Sequence, residues 1–282
     1  ITHDVSINCF DKTNKNEISP ACYLNLYNKL ANGGDKIKGF KINLIYGHIK
    51  LYKAPTEGHE STSRALDGMV TAYNLLNTQR YNTPLSPRGS TLYAFNNSNL
   101  EPDSSFINNR IPIENIIKDN RNNPYPNIVV EVKYSEDYAS IFSLPPIYMS
   151  VQSIRVVIII IITKSSFVNQ DGRSQINQLI AFVYRQEDHS IRAISFGILL
   201  NHSTEQALIR HSHVPLDRFV GTGRFGNNHQ CDQEGLEEFT LRIDFEDVWY
   251  GVPEANRPII QYDLILDLFN IRSELTYRGW MG

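Results

Sequence analysis

Two short acidic signals carry most of the chemistry in this sequence. Glu101-Pro102-Asp103 stands directly before Ser-Ser-Phe-Ile, and Glu131-Val132-Lys133 lies inside the run Ile128–Tyr134, IVVEVKY. Strand alternation puts Glu131 and Lys133 on one face and Val130 and Val132 on the other. A carboxylate on a buried strand is costly unless it is paired or binds a metal. If Asp103 lies on the neighbouring strand, two carboxylates converge beside one ammonium. Such a set suits Mg²⁺ or Mn²⁺, which take hard oxygen ligands and keep several waters. The metal would lower the pKa of a bound water and stabilise charge on a scissile phosphate. Lys133 would orient the nucleophile or neutralise the transition state. The plainer reading of the same residues is a same-face ion pair at a sheet edge, with Asp103 capping a turn. A bare ExK tripeptide does not separate the two.

Other constellations are weaker. Gly221-Thr222-Gly223-Arg224-Phe225-Gly226 matches GxGxxG, but Asn-Asn-His-Gln follows where a helix should open, so it reads as a glycine-rich loop. His211 and His213 would share a strand face, yet the histidines lack zinc-ligand spacing and no HExxH or GxSxG occurs. His59 and Glu60, near the start of a helix, could add a polar or acidic contact. Their plain reading is an exposed first turn. Lys50, Lys53, Arg64, Arg88, Arg110, Lys118 and Arg121 could touch phosphates, and a solvated surface explains them equally well.

The elements that must position these residues follow from periodicity. A short helical pattern ends at Gly33-Gly34. Phe40 to Leu51 alternates about Tyr46-Gly47-His48 as a hairpin. Ala65, Leu66, Met69, Val70, Tyr73 and Leu76 recur at helical spacing, which predicts a helix over 58–77. Residues 91–95 and 105–107 predict short strands, and the polar stretch 108–127 a loop. A helix in 136–153 is restricted to starting at Pro145-Pro146. Val156–Ile162, VVIIIII, is seven residues long and wholly β-branched. A membrane span needs about 20 residues. The run therefore predicts a strand buried on both faces. Residues 178–186 and 191–197 predict two more strands, and Ile259–Phe269 a last apolar segment.

Several of these pieces, in this order, resemble the PD-(D/E)XK nuclease superfamily, most closely the branch named for restriction endonucleases. The hairpin INLIYGHIKLYKAP resembles that branch's ELIDGE strand pair. The segment GHESTSRALDGMV sits where the family places a helix. Leu100–Ile107 resembles its SPDxxFV strand, and Pro126–Val132 its PDLVVEV strand. Ser135-Glu136-Asp137 echoes the polar triplet that follows. Tyr148, Arg155 and VVIIIII look like its closing Y…GVRxVWLI. The resemblance runs from about residue 40 to 162. It implies a metal-dependent phosphodiesterase acting on DNA, with Asp103 and Glu131 as metal ligands. The departures are specific. Asn43 stands where the family has Glu, and His48 where it has an acid. Leu144, beside Pro145 and Pro146, takes the place of a helical lysine. Lys133 could restore that charge from the ExK position.

Composition bounds the rest. With 27 Lys plus Arg against 30 Asp plus Glu, the net charge of −3 excludes a globally basic nucleic-acid binder but not a local basic groove. A hydrophobic content of 41% allows a sizeable core. Three cysteines without CxxC argue against a disulfide framework, and suit a reducing intracellular compartment, cytoplasm or nucleus. No signal-peptide pattern or membrane span is legible, and the chain starts at Ile1, so a true N-terminus beyond it stays open.

The expected architecture is α/β: a restriction-endonuclease-like mixed β-sheet flanked by helices. Residues 1–35 form an N-terminal arm, 36–200 the core and 201–282 a C-terminal accessory extension. The extension packs on the sheet or mediates self-association, which keeps a homodimer in view. The leading function is a DNA endonuclease. The alternative is a degenerate nuclease fold that binds a partner without turnover, and a third is a regulatory protein acting through its extension.

Overall fold

The structure is a computed structural model. It describes residues 19–32, 40–53, 57–77, 83–89, 91–134, 138–168, 174–215, 218–222, 229–279 and 281. Most of the N-terminal arm, the triplet 135–137 and the later part of the GxGxxG stretch lie outside the described residues, as does the side chain of Lys53.

A seven-stranded mixed sheet organises the chain. Its strands are β3 (Leu85–Pro87), β6 (Ser104–Asn108), β7 (Ile128–Tyr134), β8 (Val156–Val168), β9 (Ser174–Arg185), β10 (Ile191–Ser195) and β11 (Phe219–Gly221). The spatial order is β11-β10-β9-β8-β7-β6-β3. β7 and β8 run parallel, and β6–β7 and β8–β9 antiparallel. The isoleucine run lies at the centre of this sheet and every residue from Val156 to Ile162 is fully buried. That follows from its composition, since β-branched side chains without polar alternates need cover on both faces.

Each face has its own core. On one, α2 (Glu57–Asn77), α7 (Leu268–Tyr277) and the two-stranded sheet β12 (Thr240–Ile243)–β13 (Leu264–Asp267) cover Val130, Val132, Ile158 and Ile160. On the other, α3 (Tyr138–Phe142), α4 (Leu144–Met149) and α5 (His202–Ser212) cover Val129, Ile159, Ile161 and Phe182. Residues of a second sheet, order β2-β1-β5-β4, join this second core. It is built from β1 (Phe40–Ile45), β2 (His48–Lys53), β4 (Tyr93–Phe95) and β5 (Ser98–Leu100). The expected class, an α/β fold on a mixed sheet flanked by helices, is what the structure contains. A further helix, α1 (Pro20–Asn32), lies in the arm and packs against β1.

The β1–β2 hairpin turns at Tyr46 and Gly47, whose φ values of 48° and 79° are the left-handed pair of a two-residue type I′ turn. Beyond residue 200 the chain returns to the sheet after α5. β11 lies beside β10, and Leu241, Trp249, Leu264 and Leu275 belong to the core over β7 and β8. α6 (Phe245–Val248) is tied to the sheet by ion pairs between side chains. Asp247 is fully buried and accepts from Arg155 Nε at 3.2 Å and from Arg185 Nη2 at 2.9 Å.

Three expectations are corrected. His211 and His213 do not share a strand face: His211 ends α5 and His213 is its left-handed cap at φ 57°. Asn201 starts that helix by accepting from Ser203 N, a cap signal that alternation alone does not show. The last apolar segment begins at Leu264 rather than Ile259, which is 97% exposed. Cys22 is disulfide-bonded, and Cys231 is free and buried. A disulfide removes the footing of the compartment argument, which assumed reduced thiols. Among the described residues no helix is long and apolar enough to cross a membrane.

Candidate active site

Proline builds the first half of the site. β6 pairs with β7 through Ser104↔Val130, and Asp103 N still donates to Val130 O at 3.2 Å. Pro102 has no N–H, so the ladder stops there. The next β7 donor, Val132 N, is taken by the Asp103 side chain at Oδ2, 2.8 Å away. Asp103 thus continues the ladder with its carboxylate, and this turns it onto β7.

Alternation builds the second half. Glu131 and Lys133 lie opposite Ile159 and Ile161 of β8, on the face of Val129 and away from Val130 and Val132. Glu131 is 0% exposed, and the Asp103 and Lys133 side chains are 4% and 8% exposed. Lys133 Nζ donates to Glu131 Oε2 at 2.5 Å and to Asp103 Oδ2 at 3.2 Å. Burial by itself would lower the Lys133 pKa. The charges of Asp103 and Glu131, with hydrogen bonds to both, outweigh it and hold the amine above its ordinary range. The ammonium is therefore a fixed positive charge at neutral pH. β7 is an interior strand, so the ion pair does not lie at a sheet edge.

Two further side chains close the cluster. His59, buried at the start of α2, brings Nε2 to 3.2 Å from Asp103 Oδ1. Glu60 does not join it. Its side chain is 52% exposed, with Oε1 3.9 Å from His59 Nδ1, as an acidic first-turn residue would be. Tyr148 on α4 donates to Glu131 Oε1 at 2.5 Å. Its position was legible only as a piece of the resemblance, and nothing in its spacing pointed to Glu131. Leu144 is buried, as befits its apolar side chain. Pro145 and Pro146 do not spoil the helix, because they fall in its first turn.

Among the described residues no three His, Cys, Asp or Glu side chains gather as a metal site. Asp103 and Glu131 nevertheless offer hard oxygens to one shared cation, the Lys133 ammonium. That donor set fits Mg²⁺ or Mn²⁺, since such ions are often held by one or two carboxylates with water and substrate oxygens completing the shell.

The chain is thus an α/β protein with an acid–lysine cluster buried between neighbouring strands of a mixed sheet. No protein-family model and no curated protein sequence matches it. Among solved structures it is similar to a crystal structure from Anabaena variabilis described as "a putative nuclease belonging to DUF820". The TM-score is 0.38 and the identity 14%, over 61% of this chain and 88% of that one.

Proposed function

We propose that this chain is a metal-dependent phosphodiesterase acting on DNA, an endonuclease with a PD…ExK site. One observation carries the reading: a single ammonium, Lys133, is shared by Asp103 and Glu131 from neighbouring segments of one sheet. Asp103 and Glu131 would hold Mg²⁺ or Mn²⁺. When bound, the metal would supply Lewis-acid stabilisation of phosphoryl charge and a more acidic water. Lys133, drawn off the two carboxylates, would donate to the attacking water or to a non-bridging phosphate oxygen. His59 would hold the second oxygen of Asp103 and so fix its orientation. The test is nicking of supercoiled plasmid in Mg²⁺ or Mn²⁺, wild type against Glu131→Gln. Equal rates in the two proteins would eliminate the mechanism.

A second reading has its own support. Both oxygens of Asp103 and both of Glu131 already meet donors of this chain: His59, Val132 N, Lys133 and Tyr148. A closed cluster whose carboxylate oxygens are all hydrogen-bonded within the chain suits a nuclease fold that binds a partner without turnover. Mn²⁺ binding with no nicking under any condition would favour it.

A further inference from the structure

We infer that Tyr148 is a positioning residue of this site, one that holds Glu131 in register while Lys133 and a divalent cation exchange places. The inference rests on the metal-dependent reading above. Glu131 is walled by Val129, Ile159 and Ile161, so water cannot orient its carboxylate. Oε2 is taken by Lys133 and Oε1 by Tyr148. These two contacts differ in what a cation does to them. A cation held by Asp103 and Glu131 would compete with the Lys133 contact at Oε2, whereas the Tyr148 contact at Oε1 comes from a separate helix. Tyr148 would then keep a hold on Glu131 that does not depend on Lys133.

The fold anchors the phenol independently of the acids. Tyr148 is fully buried, and its ring meets Phe95 edge to face at 5.4 Å and 87°. α4 begins at the Leu144-Pro145-Pro146 break and packs on β8, so the backbone that carries Tyr148 does not depend on Lys133. The double proline, a departure from a continuous helix, starts a new helical turn that brings position 148 over β7. Groups that support a metal ligand in this way typically contribute ten- to a hundredfold to metal affinity, and about tenfold is expected from one neutral hydroxyl.

The test is Tyr148→Phe in the full chain, which keeps the ring and removes the hydroxyl. Mn²⁺ binding is measured by calorimetry, and plasmid nicking is measured across a Mg²⁺ titration. Mn²⁺ affinity should fall about tenfold. The half-saturating Mg²⁺ should rise by a similar factor, and the rate at saturating Mg²⁺ should return to near wild type. Rescue by metal would not follow a purely structural defect. Unchanged Mn²⁺ affinity, or a lost rate that Mg²⁺ does not restore, overturns the inference. A wild type that binds no Mn²⁺ overturns the phosphodiesterase reading and this inference together, whereas equal binding by both proteins overturns this inference alone. If Tyr148→Phe does not fold, Phe95→Leu loosens the ring support and leaves the hydroxyl. Its Mn²⁺ affinity should fall in the same direction, and unchanged affinity would again overturn the inference.

Discussion

Glu131 and Lys133, two residues apart on β7, meet at 2.5 Å on the sheet face that also carries Val129, Ile159 and Ile161. Each charge is tolerated there because the other is present, with Asp103 as a third member.

Removing only the cation should therefore cost more than removing charge from both sides. Lys133→Met leaves two carboxylates together without their ammonium and should lose about 3–5 kcal/mol. The double variant Lys133→Met/Glu131→Gln should recover part of that loss in urea unfolding. The sign of the pH dependence is also defined. The folded-state lysine pKa is raised, so the contribution of Lys133 is fully present below the unfolded value of about 10.4 and is lost as pH rises above it. The stability gap between wild type and Lys133→Met should stay constant from pH 7 to 9 and close in alkali. A gap that closes below pH 9 would contradict the pairing.

Arg64 and Arg88 are exposed on segments that also lead to the cluster. Arg64 is on α2, five residues beyond His59, and Arg88 N donates to Ser105 O two residues after Asp103. If the substrate is DNA, they are exposed arginines available for phosphate contact. Arg64→Ala and Arg88→Ala should each weaken DNA binding and lower the salt dependence by roughly one counterion. Thermal stability should hardly change. An unaltered salt slope in both would place the phosphates elsewhere.

Asp119 staples the long loop between β6 and β7. It accepts from Ala94 N, Arg121 N and Asn123 N, and Arg121 in turn reaches Leu92 O. Burial works to raise its pKa, but those backbone donors and the Asn123 amide outweigh it and hold the carboxyl below its ordinary value. Asp119 should thus contribute stability above its unfolded pKa of about 3.9, lost as pH falls through the lower folded value. Asp119→Ala should destabilise by about 1–3 kcal/mol at pH 7. That deficit should narrow below pH 4, which acid unfolding followed by circular dichroism would reveal.

Asp247 fastens the C-terminal segment to the central sheet through Arg155 and Arg185. Arg155 also lies 4.4 Å over the Tyr250 ring. Asp247→Ala leaves Arg155 buried without its main counter-charge and should cost about 3–5 kcal/mol. Because one core spans both parts of the chain, unfolding should stay a single transition. A separate early transition for the C-terminal segment would show that residues 201–282 fold on their own.

The sequence by itself determined whatever a single element contains. The period of two placed Glu131 and Lys133 on one face, VVIIIII pointed to a strand covered on both sides, and Tyr46-Gly47-His48 pointed to a hairpin turn. Helical spacing likewise marked α2, because such patterns are repeated locally along the chain. The tertiary structure alone decided which distant residues meet. Asp103 reaches Val132 and Lys133 because Pro102 ends a strand pairing whose register is set across two strands. Tyr148 finds Glu131 through the crossover between parallel strands, His59 finds Asp103 through the docking of α2, and Asp247 finds two arginines through the return of the chain. Those contacts depend on how elements pack, and no local periodicity encodes that.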